Sequence, residues 1–169
     1  MKAAGILLAI AIAQALQSTI ARYITGGTVA VDLVLVVVVY VALTSGSVAG
    51  LLTGTVAGLI QDSLGTGLIG VGGLAKSIVG FVAGIVGTQF IVSQPLPRFL
   101  VFFVATVAHQ AITIGLAVVL GQRSFGTPYA AVAGEALGNA VVGVAAFQLA
   151  ELLPGAVERR RMGKGRLRR

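Results

Sequence analysis

Long runs of apolar residues, separated by short polar or glycine-rich intervals, fill the chain from end to end. The first run, Ala3 to Ala21, places 19 uncharged residues after Lys2, enough for one membrane-spanning helix. It contains Ala13-Gln14-Ala15, a tripeptide of the signal-peptidase type, but apolar character continues beyond it to Ala21, so a retained helix is expected. Leu68 to Val92 and Phe99 to Leu120 each have about the length of a span, the former carrying Lys76, and Gln94-Pro95-Leu96-Pro97-Arg98 reads as the loop between them. A further span is expected from Pro128, a residue suited to a first helical turn, to Leu153 before Pro154-Gly155; it holds Glu135 near its start.

The segment Val29 to Gln61 is harder to divide. It carries one charge, Asp32, and is interrupted by Thr44-Ser45-Gly46-Ser47. One continuous helix of that length would be about 50 Å long and would have to tilt by roughly 50° to fit a ~30 Å hydrocarbon layer. Two short helices fit better, and short, glycine-interrupted spans are common around transporter-type binding sites. The valine-rich stretch Leu33 to Val41 would pass for a buried strand in water, but a lone strand in lipid leaves its backbone unpaired, so a helix is predicted.

Composition supports lipid as the solvent. Of 169 residues, 57% are apolar and only 10% charged, against about 25% in soluble domains, and mean hydropathy is +1.01. There is no cysteine, which excludes disulfides, thiolate metal sites and cysteine nucleophiles. The expected fold class is therefore all-α, a polytopic bundle of six transmembrane helices over residues 1–155, followed by a basic tail over 156–169. The net charge of +7 is concentrated in that tail, in Arg159, Arg160, Arg161, Lys164, Arg166, Arg168 and Arg169. With both termini cytoplasmic, these seven, Lys2 and Arg98 lie inside, while Arg22 and Arg123 lie outside, which satisfies the positive-inside rule. Merging the second and third helices gives a five-span chain with the same charge bias, so helix length decides for six.

Glycine recurs at every fourth residue in Gly46, Gly50, Gly54 and Gly58, and again in Gly72, Gly80 and Gly84 with Lys76 at the missing step. Gly134 and Gly138 repeat the spacing once. Such stripes let helix backbones approach closely in lipid. Packing within the bundle is the first reading and a docking face for a partner helix the second; Val37, off the stripe, is expected to face lipid.

Asp62, Lys76, His109 and Glu135 are ionisable groups in or beside spans, where a mid-bilayer charge costs roughly 2.5 to 3.5 kcal/mol. Each should face protein or water. An antiparallel third and fourth helix would bring Asp62 within reach of Lys76 as an ion pair. Glu135 with Asn139, and His109 with Thr113 beside Gln110, share helix faces and suit either hydrogen bonds between helices or the lining of a pocket, the former preferred. No catalytic constellation is present: the single histidine lacks a metal-binding context, there is no nucleophile elbow, and Gly65-Thr66-Gly67 lacks the lysine of a phosphate loop. An enzyme, a cofactor and a metal are therefore not expected. The basic tail suits anionic lipid headgroups and topology; nucleic-acid binding is not expected, because there is no folded basic face with interleaved aromatics.

The stretch from Val56 to Gly84 resembles the MreD family of bacterial rod-shape-determining membrane proteins. In that family a Gly-Leu-x-x-Asp helix end, here Gly58, Leu59 and Asp62, leads through a glycine-bearing loop to a leucine-containing helix, here Gly70, Leu74, Lys76 and Gly80. The resemblance implies a non-enzymatic scaffold of the cell-elongation complex in the inner membrane, with MreC as direct partner and MreB, RodA and a class B penicillin-binding protein in the same assembly. It also implies a fold similar to the substrate-binding S-components of energy-coupling-factor vitamin transporters, which supply the rival reading. Those proteins dock through an Ala-xxx-Ala face on the first helix, to which Ala9/Ala13 and Ala11/Ala15 offer a weak match in so alanine-rich a helix.

Overall fold

A 13-residue helix with no polar face is stable only if other protein surrounds it. The computed structural model places such a helix at the centre of the bundle. It describes residues 3–23, 31–65, 68–89, 94–121 and 129–166, with the side chains of 20–23 and 153–166 left aside. The described residues form six helices and no strand: α1 (Ala3–Tyr23), α2 (Leu33–Ser45), α3 (Ser47–Leu64), α4 (Val71–Gln89), α5 (Pro95–Val119) and α6 (Tyr129–Arg166). Helix α2 touches all five others. Its Val34 and Val38 pack with Ile10, Ala13 and Ala57, while Leu35, Val36, Val39 and Ala42 pack with Val79, Ala83, Phe102, Ala105, Ala140 and Phe147. The valine-rich run is thus helical and largely buried, and Val37, expected to face lipid, is partly buried and packs beside the first of these clusters.

The division of the central segment falls where the polar break placed it. Gly46 turns the chain between α2 and α3 with φ 90° and ψ 178°, a conformation that side chains disfavour. Its N–H donates to Ala42 O at 2.9 Å and its carbonyl accepts from Gly50 N at 3.0 Å, so the corner closes one helix and opens the next. Gly46 is therefore a hinge, and an added Cβ there meets nothing within 4 Å, unlike the rest of its stripe.

Among the described residues, three helices are long and apolar enough to cross a membrane: Val71–Gln89, Pro95–Val119 and the Tyr129–Leu152 part of α6. Ala3–Thr19 and Leu33–Ser45 are shorter apolar helices. Two boundaries differ from expectation. Pro95 to Arg98 form the first turn of α5 and not a loop, because proline at a first helical position forfeits no hydrogen bond. The apolar span of α6 among the described residues is Tyr129–Leu152, where the sequence placed its end at Leu153, but the helix runs on through Pro154 and Gly155 to Arg166; a proline loses its own N–H bond yet keeps a helical φ. Arg159, Arg160, Arg161, Lys164 and Arg166 lie on this continuation, while Lys2, Arg123, Ser124, Arg168 and Arg169 fall outside the described residues.

The outer surface suits lipid. Leu8, Leu52, Leu100, Val104, Val141 and Leu149 are each more than half exposed, on four different helices.

Candidate functional site

Antiparallel packing of α3 on α4 is built from glycine. A Cβ on Gly54 would stand 2.5 Å from the carbonyl carbon of Lys76, and one on Gly58 would stand 2.5 Å from Gly73 Cα. Gly50 and Gly80 meet backbone to backbone, and Gly84 packs on Ser47, where an added Cβ would lie 2.5 Å from its amide nitrogen. Real Cβ atoms do not approach backbone this closely, so any side chain here must push the helices apart. At these positions the stripe packs inside the chain. Thr55 and Ser77 add a hydroxyl pair at 2.7 Å across the same seam. Gly134 meets nothing within 4 Å, whereas Gly143, not singled out in sequence, lies against the Phe102 ring.

At the end of this seam Asp62 acts as a cap for the following helix. Its Oδ2 accepts from Gly70 N at 2.8 Å and Gly73 N at 3.1 Å, amides of the first turn of α4 that have no partner within that helix. A carboxylate there also complements the positive end of the helix dipole. Gly72 sits against Asp62 Oδ1, so a side chain at 72 would displace the cap. The expected ion pair with Lys76 is thus not formed: the carboxylate is turned to backbone amides.

Lys76 pairs instead with Asp32, Nζ to Oδ2 at 2.7 Å, with side-chain exposures of 3% and 9%. It also donates to His109 Nε2 at 3.1 Å. Because an ammonium only donates, His109 Nε2 accepts and its proton resides on Nδ1, a buried atom with no hydrogen-bond partner. Asp32 is the N-cap of α2: its Oδ1 accepts from Leu35 N at 3.0 Å, and its own N–H donates to Asn139 Oδ1 at 2.8 Å. Asn139 Nδ2 donates to Thr106 Oγ1 at 3.1 Å, and Thr106 donates to Phe102 O at 2.9 Å. Gln110 Nε2 donates to Glu135 Oε2 in a short contact between α5 and α6. Gln17 reaches from α1 to accept from Val34 N at 3.4 Å.

These groups converge at one end of the bundle, where α1, α3 and α5 finish and α2, α4 and α6 begin. They line a cavity of about 390 Å³ whose walls include Gln17, Asp32, Gln61, Asp62, Lys76, His109, Gln110, Thr113 and Glu135. The structure therefore gathers Asp62, Lys76, His109, Gln110 and Glu135 around one space, while Asn139 stands behind it as a strut. The hydrogen bonds between helices and the pocket, weighed as alternatives, coexist. Sequence reasoning passed over Asp32, Gln17 and Thr106. A carboxylate directly before an apolar helical run is an N-cap signature, and that signal marks Asp32; nothing in the sequence marks the other two.

Away from this cavity, Arg98 in the first turn of α5 lies 4.5 Å above the Phe147 ring and 2.5 Å from Glu151 Oε1 on α6. It is buried to 6% exposure, so this cation is a tie between two helices as well as a topological marker.

Comparison with curated proteins and with solved structures gives no match. A family model does match: that of rod shape-determining protein MreD aligns with residues 3–149. It covers every described helix up to the apolar end of α6, including the Asp62 cap and the α3–α4 seam. The chain belongs to the MreD family of rod-shape-determining membrane proteins.

Proposed function

We propose that the chain is a non-enzymatic scaffold of the bacterial cell-elongation complex, spanning the inner membrane six times with both termini cytoplasmic. In this reading it binds MreC directly and stands in one assembly with MreB, RodA and a class B penicillin-binding protein, which it helps to organise. The family match across residues 3–149 carries the reading, since membership implies a role in rod shape determination. Two physical features support it. Most of the polar side chains between helices are engaged with one another, as struts, and the apolar outer surface offers broad lateral contact to lipid and to other spans. The basic continuation of α6 suits the anionic inner leaflet, at most about 1 kcal/mol per basic residue.

A second reading, a substrate-binding S-component of an energy-coupling-factor-type transporter, is favoured by the polar cavity alone. The alanine face invoked for it is divided: Ala13 is buried in the core, while Ala11 and Ala15 are exposed. Affinity purification from membranes under mild detergent separates the two. Recovery of a single-span, coiled-coil periplasmic protein together with cell-wall synthases supports the scaffold; recovery of paired ATPases with a bound vitamin overturns it.

A further inference from the structure

We propose that the cavity between Lys76, Glu135 and Gln61 is a binding site for a ligand bearing a primary ammonium group. The space exists without any rearrangement. At about 390 Å³ it falls within the range of small-molecule pockets, and its walls come from five helices and from Val31 and Asp32, which lead into α2. Its charges do not cancel. Asp32, Asp62 and Glu135 supply three carboxylates and Lys76 one ammonium, and that ammonium is already committed to Asp32 at 2.7 Å. Asp62 is directed at two backbone amides and Glu135 at the neutral amide of Gln110, so neither carboxylate has a cationic partner among the described residues.

Two further atoms on the wall are buried and unpartnered. Gln61 Oε1 is an acceptor without a donor, and His109 Nδ1–H is a donor without an acceptor, on a ring that is only 7% exposed; both atoms lie just behind the cavity surface, and a side-chain rotation brings either to an occupant. Leaving such a group unsatisfied is costly, and an occupant with matching groups removes that cost. An ammonium donates three hydrogen bonds and carries the missing positive charge, which fits Glu135 and Gln61; an acceptor on the same ligand fits His109. A divalent metal fits poorly, because no three His, Asp or Glu side chains among the described residues converge as a ligand set. With the N-terminus cytoplasmic the cavity lies in the outer half of the bundle; that sidedness rests on the proposed topology, whereas binding itself does not.

An ammonium of this kind has two sources, a free organic amine or the headgroup of phosphatidylethanolamine, and the test separates them. The full chain is placed in nanodiscs of phosphatidylglycerol and titrated with 1,5-diaminopentane, with glutarate as an anionic mimic of the same length and with Mg²⁺. A parallel sample carries phosphatidylethanolamine in the nanodisc. A saturable rise in melting temperature with diaminopentane and none with glutarate supports a free amine. Higher thermal stability in phosphatidylethanolamine, with no further response to diaminopentane, supports the lipid headgroup. In either case Glu135→Gln, which keeps the contact to Gln110, should weaken the response at least tenfold in ligand concentration while leaving the unliganded melting temperature nearly unchanged. Ala117→Phe, which fills the cavity from α5, should abolish it. No response from either source, an undiminished response in both variants, or saturation by Mg²⁺ alone overturns the proposal. Because the readout needs no partner protein, its failure is distinct from failure of the scaffold reading.

Discussion

Replacing Lys76 by methionine would strip the buried cation from Asp32 and leave a carboxylate in a site that admits little water. The pair is 2.7 Å apart with side-chain exposures of 3% and 9%, so neither charge can be rescued by solvent without opening the bundle. Removing one partner of such a pair typically costs about 3 to 5 kcal/mol, while replacing both by neutral groups is often close to neutral. Asp32→Asn is the matched change on the other side. Its side-chain oxygen still accepts from Leu35 N, so the α2 cap is retained and the roughly 1 kcal/mol of a lost cap does not contaminate the measurement. The expected outcome is a loss of about 3 kcal/mol or more for each single variant and a much smaller loss for the double variant, giving a coupling of about 2 kcal/mol or more. Reversible unfolding of the purified protein in mixed micelles, titrated with a denaturing detergent, reads these values. Asp62→Asn combined with Lys76→Met is the control, and its losses should add to within about 0.5 kcal/mol because Asp62 is bonded to Gly70 and Gly73 instead. Additive losses for Asp32 and Lys76, or strong coupling of Lys76 to Asp62, would refute the assignment of the pair.

Gly54→Leu or Gly58→Leu should drive α3 off α4 and abolish folded protein on size-exclusion chromatography, since the obstacle is backbone and overpacking already costs about 1 to 3 kcal/mol where side chains can yield; Val56→Leu, half exposed on the same helix, should elute normally. Gly72→Ala and Asp62→Ala should destabilise by similar amounts, about 1 to 2 kcal/mol, and the double variant should be no worse than either alone, because both remove one cap; independent losses would sink that account. Gly143→Ala should lower the melting temperature through its collision with Phe102, whereas Gly134→Ala, with open space at the Cβ, should leave it unchanged. A cysteine at Ser45 should be shielded from an impermeant reagent outside the cell while one at Ser124 reacts; labelling of Ser45 from outside would overturn the six-span arrangement. The chain has no native cysteine to confuse the readout.

Helix positions were legible in the sequence because lipid leaves few options. Every backbone group in an apolar run must be satisfied within its own helix, so length and glycine breaks suffice to place α1, the α2–α3 corner at Gly46 and the start of α4 to within a few residues. The α3–α4 seam was legible for the same reason: small residues at every fourth position have meaning only as a close contact. The partner of Lys76 was not. Sequence proximity favoured Asp62, one short loop away, but Asp62 lies beside the unpaired amides that open α4, and those amides claim it. Asp32 is 44 positions from Lys76 and reaches it only because α2 runs through the middle of the bundle, touching α4 directly. That central placement follows from the absence of a polar face on α2, which the sequence shows, but which neighbour receives its one charged end depends on helix packing and rotation. The partial packing of Val37 against protein was illegible for the same reason. An apolar side chain in a membrane protein looks the same to a sequence whether lipid or protein surrounds it.

The polar end of the bundle gains its meaning from this division of labour. Asp62 and Gly72 complete the α3–α4 hairpin, and the glycine stripe holds that hairpin closed, so neither depends on Lys76. The Lys76–Asp32 pair can then tie the hairpin to α2, and through Asn139 and Thr106 the tie continues to α6 and α5. A framework that needed only rigidity would bury apolar side chains at these positions at lower cost, because a buried ion pair is weak evidence of stability. Here the pair instead forms part of the wall of a cavity beside His109, with Gln110 and Glu135 across from it, and the hydrogen-bond network stops at Nδ1 of that histidine. A network that is complete on its structural side and ends unpartnered beside a cavity is what a bundle retains when an occupant completes it. On that argument the same Lys76 that ties four helices together also sets the charge an occupant must balance.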